Sequence, residues 1–167
     1  PAHFELETPA AADGPDRDPT RHAGTDLRVV SLNTRRNGLR DDDRRDALMR
    51  LIKCTDADVV AIQEEYKGAA KGGQGQDYIQ AVLARGVGGL WHVHKHYDCV
   101  VASRRPLKAE KSYDRSYAAA VVDLDAGRSV LVLSVHPKCC GYAGSEEDDR
   151  RVEQTQAMIR TIADVRR

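Results

Sequence analysis

The chain has 167 residues, a length typical of one domain. Its 26 Lys and Arg balance 26 Asp and Glu, which argues against a protein that coats nucleic acid or an anionic membrane through bulk charge but permits a local basic cleft. Apolar residues make up 41% of the sequence; dense runs of Val, Ile and Leu exclude disorder throughout, and no run approaches the ~20 residues of a membrane-spanning helix.

The N-terminal segment differs in composition from the rest. Residues 1–26 are rich in Pro, Ala, Asp, Gly, Thr and Arg, and their only large apolar side chains are Phe4 and Leu6. We predict a disordered tail or linker over 1–26 and a folded domain over 27–167. The chain begins with Pro1 rather than Met, so we expect it to be processed, trimmed or a fragment; a targeting signal and the compartment stay open.

Two apolar strands separated by a helix are predicted next. Residues 27–32 are rich in β-branched side chains and predict a strand that ends at Asn33. Acidic residues followed by apolar residues at helical spacing predict an amphipathic helix over 43–53. A second buried strand is predicted over 58–63 and ends at Glu64.

A second helix and a run of strands follow. A loop rich in Gly and Lys covers 67–75, and apolar residues at helical spacing then predict a helix that closes near Gly86. Strand-like segments come after it at 90–94, 98–103, 117–123 and 129–135. The last is nearly all apolar, as expected of a central strand, and it ends at His136. A capping box of Ser145 and Asp148 begins a final amphipathic helix.

This order of elements predicts an α/β fold of mixed α+β type, with one mixed sheet of about six strands and helices against one face. Three polar residues stand just after predicted strands: Asn33, Glu64 and His136. Sites often assemble at that edge of α/β sheets. We therefore expect these three side chains to form a site.

Four segments carry a resemblance to a known family. They are 27–34 (LRVVSLNT), 56–64 (DADVVAIQE), 100–107 (VVASRRPL) and 130–136 (VLVLSVH), the last followed by Arg151 and Gln154 on a helix. Their sequence, order and spacing resemble the endonuclease/exonuclease/phosphatase superfamily, metal-dependent phosphoesterases that include deoxyribonuclease-like and sphingomyelinase-like enzymes. The resemblance extends over about residues 27–165.

The resemblance implies a four-layer α/β sandwich, of which this chain supplies the first half, a mixed sheet with helices on the outer face. The family continues with a Gly-Asp-x-Asn motif and ends with Ser-Asp-His, but here no Asn follows Asn37 and no His follows His136. We therefore expect the C-terminal half of the domain to be absent and the segment to be inactive alone. Without a second sheet its inner face would meet water, so we expect 27–167 to be unstable or to dimerise.

The chemistry of phosphoester hydrolysis assigns roles to two residues. A phosphodiester is anionic and repels hydroxide, and a hard divalent cation overcomes this by neutralising a phosphate oxygen. Magnesium needs only one or two protein carboxylates. Glu64 is the candidate ligand for Mg²⁺ or Mn²⁺. Asn33 offers an amide that binds a phosphate oxygen or helps the metal site, as the matching family positions do.

Four further candidates surround these two. His136 is suited to donate a proton to a phosphate oxygen or to orient the scissile group. The resemblance implies that Asp98, eight residues before Pro106, is the acid that pairs with it. Arg35 and Lys138 are candidate phosphate-binding cations, with a solvated face as the alternative reading. The predicted function is metal-dependent hydrolysis of phosphodiester or phosphomonoester bonds.

The sequence leaves the substrate and two other functions open. Nucleotides, sugar phosphates, lipids and short nucleic acids all fit; the neutral net charge disfavours long duplex DNA, and the oligomeric state is not indicated. The missing motifs favour a non-catalytic binding or interaction module on the same scaffold. A His/Cys metal-binding protein is the third reading, because alternate histidines share one strand face and a Cys pair follows His136. Its residues are His92, His94, His96, Cys139 and Cys140.

Overall fold

A computed structural model describes residues 24–67 and 75–167 of the protein. The tail predicted over 1–26 therefore lies outside the described residues except for its last three positions. Most of the Gly/Lys loop predicted over 67–75 lies outside them as well.

The described residues form seven strands and three α-helices, joined in places by short 3₁₀ turns. In chain order they are β1 (Val29–Asn33), α1 (Asp42–Cys54), β2 (Val59–Gln63), α2 (Gln76–Gly86), β3 (His92–His96), β4 (Cys99–Ser103), β5 (Leu107–Glu110), β6 (Tyr117–Asp123), β7 (Ser129–Val135) and α3 (Glu146–Val165). The predicted strands and helices are confirmed within a few residues. Strand β5 was not predicted, because Leu, Lys, Ala and Glu have low strand propensity and only pairing with β6 makes them a strand.

The strands divide into two sheets rather than the one sheet of about six strands predicted. The first sheet has the order β1-β2-β4-β3, with β1 and β2 parallel and the other pairs antiparallel. The second has the order β5-β6-β7 and is antiparallel throughout. The chain passes from the first sheet to the second at Pro106, between β4 and β5. Proline lacks the N–H that would continue the ladder.

The two sheets pack face to face, so the predicted exposed inner face is wrong. Val59 and Val101 of the first sheet share a buried cluster with Ala118, Ala120 and Val132 of the second. Val101 and Ala120 are fully buried. The second sheet lies within 107–135 and covers the inner face of the first sheet, which the sequence analysis predicted to be exposed. The reason given for instability or dimerisation of 27–167 therefore does not hold.

Helices cover both outer faces and complete four layers, the number that the resemblance implied for the family's whole domain. α1 and α2 pack on the first sheet through apolar side chains that include Met49, Ile52, Ile79 and Leu83. On the second sheet, α3 packs Ala157 against Tyr117 and Ala119. β2 lies between a helix layer and the other sheet, which explains why all five of its residues are buried.

The helix termini follow from local sequence. Asp41 caps α1 by accepting from the backbone N–H of Arg44, and Ser145 caps α3 by accepting from that of Asp148. The Asp148 carboxylate accepts from the Gly144 N–H instead of completing a reciprocal box. Within the ranges 24–67 and 75–167, no helix is long and apolar enough to cross a membrane.

Candidate active site

The ends of β1, β2 and β7 converge at one edge of the sandwich. β1 and β2 are parallel, with Asn33 in register with Gln63, so Asn33 and Glu64 lie side by side. A buried polar contact ties β2 to β7 in the other sheet. Gln63 Nε2 donates to Ser134 Oγ at 2.9 Å, and Ser134 Oγ donates to the Ile62 carbonyl at 2.8 Å. This contact holds the end of β7, and therefore His136, beside the end of β2.

Asn33 and Glu64 are hydrogen-bonded, as the strand-end argument predicted. Asn33 Nδ2 donates to Glu64 Oε1 at 3.0 Å, and the Arg36 backbone N–H donates to Glu64 Oε2 at 2.9 Å. The hydrogen bond from Asn33 is the largest of several effects that hold the pKa of Glu64 below its usual value; the Arg36 N–H and the charge of His136 add to it. The site therefore contains an ionised carboxylate at its centre.

A left-handed turn wraps around this carboxylate. Arg35, Arg36 and Asn37 have φ of 50°, 59° and 62°, and Glu64 itself has φ of 68°. Such conformations cost of the order of 1–3 kcal/mol each for residues other than glycine. Hydrogen bonds hold the turn: the Arg35 N–H donates to Asn33 Oδ1, and the Asn37 N–H donates to the Glu64 carbonyl. The strained backbone therefore lies where it directs the N–H groups of Arg35 and Arg36 at the side chains of Asn33 and Glu64.

His136 links Glu64 to Asp98. Its Nδ1 lies 2.5 Å from Asp98 Oδ2, and its Nε2 lies 3.5 Å from Glu64 Oε1. Because a carboxylate oxygen accepts, Nδ1 is the donor in the first contact. Asp98 stands just before β4, whose start lies beside the end of β2, and its carbonyl accepts from the Glu65 N–H. The predicted proximity of Asp98 and His136 at the Glu64 edge is confirmed; their chemical roles stay predictions.

A cleft of about 400 Å³ opens beside this pair. His136, Asp98, Tyr66, Tyr97 and Lys138 are among its lining residues. The Tyr66 ring meets the His136 ring edge-on, with centroids 6.4 Å apart. Burial, followed by the Asp98 and Glu64 charges, raises the pKa of Tyr66, which favours a neutral hydroxyl. Sequence reasoning missed Tyr66, and its only local signal is that it follows Glu64 by two positions.

The two predicted phosphate-binding cations line different depressions of the site. Arg35 lines a separate depression together with Arg36, Arg44 and Glu64. Lys138 lines the cleft on the His136 side. Both side chains are exposed, so each is free to meet an anionic ligand from solvent.

Behind the site lie two buried ionisable side chains, Glu65 and Lys95, that the sequence analysis did not identify. Glu65 is 1% exposed and accepts from Thr34 Oγ1 at 2.8 Å and from the Leu39 N–H at 3.0 Å. Lys95 is 2% exposed, and its ammonium donates to the carbonyls of Glu65 and Tyr97. Burial raises the pKa of Glu65 and lowers the pKa of Lys95. These contacts hold the start of the left-handed turn against β2.

The buried Glu65 leads to a prediction about pH and stability. Its folded-state pKa lies above the ordinary value of 4.5, so the folded protein binds this proton more tightly than the unfolded chain. The resulting stability is fully present below pH 4.5 and is lost as the pH rises through the folded-state pKa. We expect wild type to lose stability relative to Glu65→Gln over that range, measured by urea unfolding at a series of pH values. A pH-independent difference, or one that Glu146→Gln at an exposed position reproduces, contradicts this assignment.

The donor set at Glu64 fits a hard divalent cation. Glu64 Oε1 accepts from Asn33 and faces His136 Nε2 at 3.5 Å, whereas Oε2 accepts only from the Arg36 N–H and keeps a free lone pair; the side chain is 21% exposed. Magnesium and manganese accept such sparse protein ligation, completed by water and substrate phosphates. The Asn33 amide oxygen already accepts from Arg35, so Asn33 orients Glu64 in this arrangement and has one lone pair left for a ligand.

The described residues give the His/Cys metal-binding interpretation no support. His92, His94 and His96 lie on the edge strand β3, as their alternation predicted. In the part of the chain that the structure describes, no three His, Cys, Asp or Glu side chains form a group able to hold a metal ion. Burial lowers the pKa of both His94 and His96, which favours neutral imidazoles in the fold.

Comparisons with known proteins agree with this architecture. The sequence model of the endonuclease/exonuclease/phosphatase family matches residues 30–162. No curated protein sequence matches significantly. Two solved structures are similar: an AP endonuclease from Archaeoglobus fulgidus, with a TM-score of 0.56 and 15% identity over 81% of this chain, and an endonuclease/exonuclease/phosphatase family protein from Leptotrichia buccalis C-1013-b, with a TM-score of 0.54 and 14% identity over 80%. At these identities the likeness establishes the fold alone. The chain spans 51% and 61% of the lengths of those two proteins.

Proposed function

Because the chain belongs to the endonuclease/exonuclease/phosphatase family, we propose that its strand-end site takes part in metal-dependent hydrolysis of phosphodiester or phosphomonoester bonds. One observation carries the proposal: Asn33, Glu64, His136 and Asp98 form an unbroken path of polar contacts at one edge of the sandwich. An ionised carboxylate, a histidine and a second carboxylate are the groups that this chemistry requires.

Glu64 holds the divalent cation in this proposal. A bound Mg²⁺ or Mn²⁺ neutralises a phosphate oxygen and lowers the pKa of a bound water. The hydrogen bonds from Asn33 and the Arg36 N–H keep the Glu64 carboxylate ionised and fix its orientation. The left-handed turn that supplies the Arg36 N–H is therefore a positioning element of the site.

Asp98 and His136 handle the proton. Asp98 accepts from Nδ1 of His136 and so holds one orientation of the ring, with Nε2 towards Glu64 and the region where a ligand would bind. When the ring also carries a proton on Nε2, that N–H is available to a phosphate oxygen as negative charge develops on it. Arg35 on the Glu64 side and Lys138 on the His136 side attract the anionic substrate.

The substrate class stays within the family's range in this proposal. The Archaeoglobus relative is named an AP endonuclease, which supports a nucleic-acid phosphodiester as one candidate. The zero net charge of this chain favours short or single-stranded nucleic acid and small phosphate esters over long duplex DNA.

The sequence lacks two motifs that the resemblance would lead one to expect. No Asn follows Asn37 and no His follows His136, so neither Gly-Asp-x-Asn nor Ser-Asp-His follows this site within the 167 residues. We propose that turnover needs groups in addition to those present here. The same observation favours the second candidate, a module that binds phosphate esters without cleaving them.

The 167-residue chain is therefore expected to show no hydrolysis above background with Mg²⁺ or Mn²⁺. The assay offers an aryl phosphodiester, an aryl phosphomonoester and a single-stranded oligonucleotide, with Glu64→Gln and chelator as blanks. Metal-dependent turnover that disappears in Glu64→Gln would contradict the expectation, and it would assign the remaining catalytic groups to residues of this chain. A longer protein that carries both missing motifs is expected to be active, and its inactivity would favour the binding module.

A further inference from the structure

Two adjacent cysteines stand in the loop between β7 and α3. Cys139 and Cys140 are both exposed free thiols, and their Sγ atoms lie 3.1 Å apart. Cys139 also lines the cleft that contains His136 and Lys138. The pair is thus open to solvent at the rim of the candidate active site, and neither the family membership nor the proposed hydrolysis gives it a role.

The loop holds the two thiols in this arrangement. The Arg151 guanidinium donates to the carbonyl of Cys140 at 2.7 Å and pairs with the Asp148 carboxylate at 3.0 Å. Cys140 and Gly141 are both left-handed, with φ of 70° and 77°. A Cβ at Gly141 would collide with the Ser145 hydroxyl, so the chain needs glycine at this turn. The dithiol therefore sits on a braced turn.

The two thiols have different hydrogen-bonding roles. Cys140 donates its S–H to Cys139 Sγ, so the two sulfur atoms are already in contact in the reduced protein. The same contact raises the pKa of Cys140, and the nearby Lys138 charge opposes that rise. The thiolate form of an exposed cysteine is the nucleophile of thiol–disulfide chemistry, and an adjacent thiol is able to resolve its adduct.

We propose that Cys139 and Cys140 form a thiol–disulfide exchange site for low-molecular-weight disulfides of the glutathione type. The Cys139 thiolate attacks one sulfur of the external disulfide, forms a mixed disulfide and releases one thiolate. That thiolate takes the proton of Cys140, and the Cys140 sulfur attacks Cys139 Sγ and releases the second half as a thiolate, which solvent protonates. The protein dithiol is oxidised to a disulfide, and the external disulfide is reduced to two thiols.

The product is expected to be readily reversible. Adjacent Cα atoms lie about 3.8 Å apart across a trans peptide, less than the usual ~4.4–6.8 Å of disulfides. The bond is therefore strained, which places it among labile disulfides rather than structural ones. The disulfide would lie next to Lys138, which lines the cleft together with Cys139. The exchange itself depends on the two thiols and not on the proposed hydrolysis.

The chain contains two internal references for the test. Cys54 is exposed at the end of α1. Its thiol donates to a backbone carbonyl, that of Leu51, rather than to another thiol. Cys99 is buried, and burial raises the pKa of its thiol. Oxidised glutathione should therefore leave an adduct on Cys54 and leave Cys99 unmodified.

The experiment treats the folded chain with oxidised glutathione, quenches it with acid and reads each cysteine peptide by mass spectrometry. In wild type, the peptide of Cys139 and Cys140 is expected to lose two hydrogens and to carry no adduct. In Cys140→Ser, Cys139 should retain glutathione, because the resolving thiol is gone. Excess reduced glutathione should restore the dithiol. Phenylarsine oxide, which bridges two close thiols, should bind the wild-type pair and neither Cys139→Ser nor Cys140→Ser.

Several results would overturn the proposal. They are a stable adduct on Cys139 or Cys140 in wild type, an intermolecular disulfide through either residue, or no reaction at this pair while Cys54 is modified. Circular dichroism shows whether the two serine variants fold. If they do not, the wild-type peptide masses and the phenylarsine oxide stoichiometry decide the outcome alone.

Discussion

Replacing Glu64 by Gln is expected to lower metal-dependent phosphoester hydrolysis by about three orders of magnitude in an active protein that contains this site. A metal ion supplies several kcal/mol of transition-state stabilisation, and each 1.36 kcal/mol corresponds to about tenfold in rate. Glutamine keeps the size of the side chain and an oxygen for the Asn33 amide. It removes the negative charge, and its amide nitrogen cannot accept from the Arg36 N–H.

Metal binding provides a readout that does not need turnover. Mn²⁺ added to the wild-type chain should broaden the NMR signals of residues around Glu64, and this broadening should be lost in Glu64→Gln. Glu146→Gln, at an exposed carboxylate on α3, is the matched control and should retain both broadening and activity. Near-normal hydrolysis or unchanged broadening in Glu64→Gln would remove this residue from the metal site.

In an active protein that contains this site, replacing Asp98 by Asn is expected to lower kcat/KM by about 10²–10⁴-fold, the usual contribution of a positioned acid–base group. In the wild type, the 2.5 Å contact with Asp98 keeps the proton on Nδ1 of His136. The asparagine amide can present its NH₂ group to Nδ1 instead of its oxygen, and the proton is then no longer held on Nδ1. His136→Gln should cost a similar amount, because it removes the group that Asp98 positions.

A double-mutant cycle separates this mechanism from two independent contributions. If Asp98 acts through His136, the double variant should be about as slow as His136→Gln alone. Mn²⁺ broadening around Glu64 should persist in both single variants. Additive losses in the double variant, or an unchanged pH–rate profile in Asp98→Asn, would refute the positioning role of Asp98.

The elements that the sequence predicted well are those with a strong local signal. β-branched runs marked β2 and β7, and Ser145 marked the start of α3. Because Asn33, Glu64 and His136 each follow such a run directly, the sequence alone identifies them as candidates. Parallel neighbours bring their carboxyl ends to the same edge, which is why the Asn33–Glu64 contact was predictable.

The division into two sheets was not predictable in the same way. β5 has a composition with weak strand propensity and exists through its pairing with β6. β6 is buried on both faces, so its pattern does not show which face meets the first sheet and which meets α3. The number of strands in a sheet is set by non-local pairing, and a pattern along the chain cannot report it.

By itself, then, the sequence determined the strand ends, the helix starts and the residue types available for phosphoester chemistry. The tertiary structure alone decided the left-handed turn that aims the Arg36 N–H at Glu64, the buried Glu65–Lys95 pair behind it, the Tyr66 ring beside His136 and the cover over the inner sheet face. The physical reason is separation along the chain. Each of these features joins segments about 30 or more residues apart. Burial and hydrogen bonding between such segments offset the cost of a left-handed backbone and of a buried ionisable group, which local sequence propensity would disfavour.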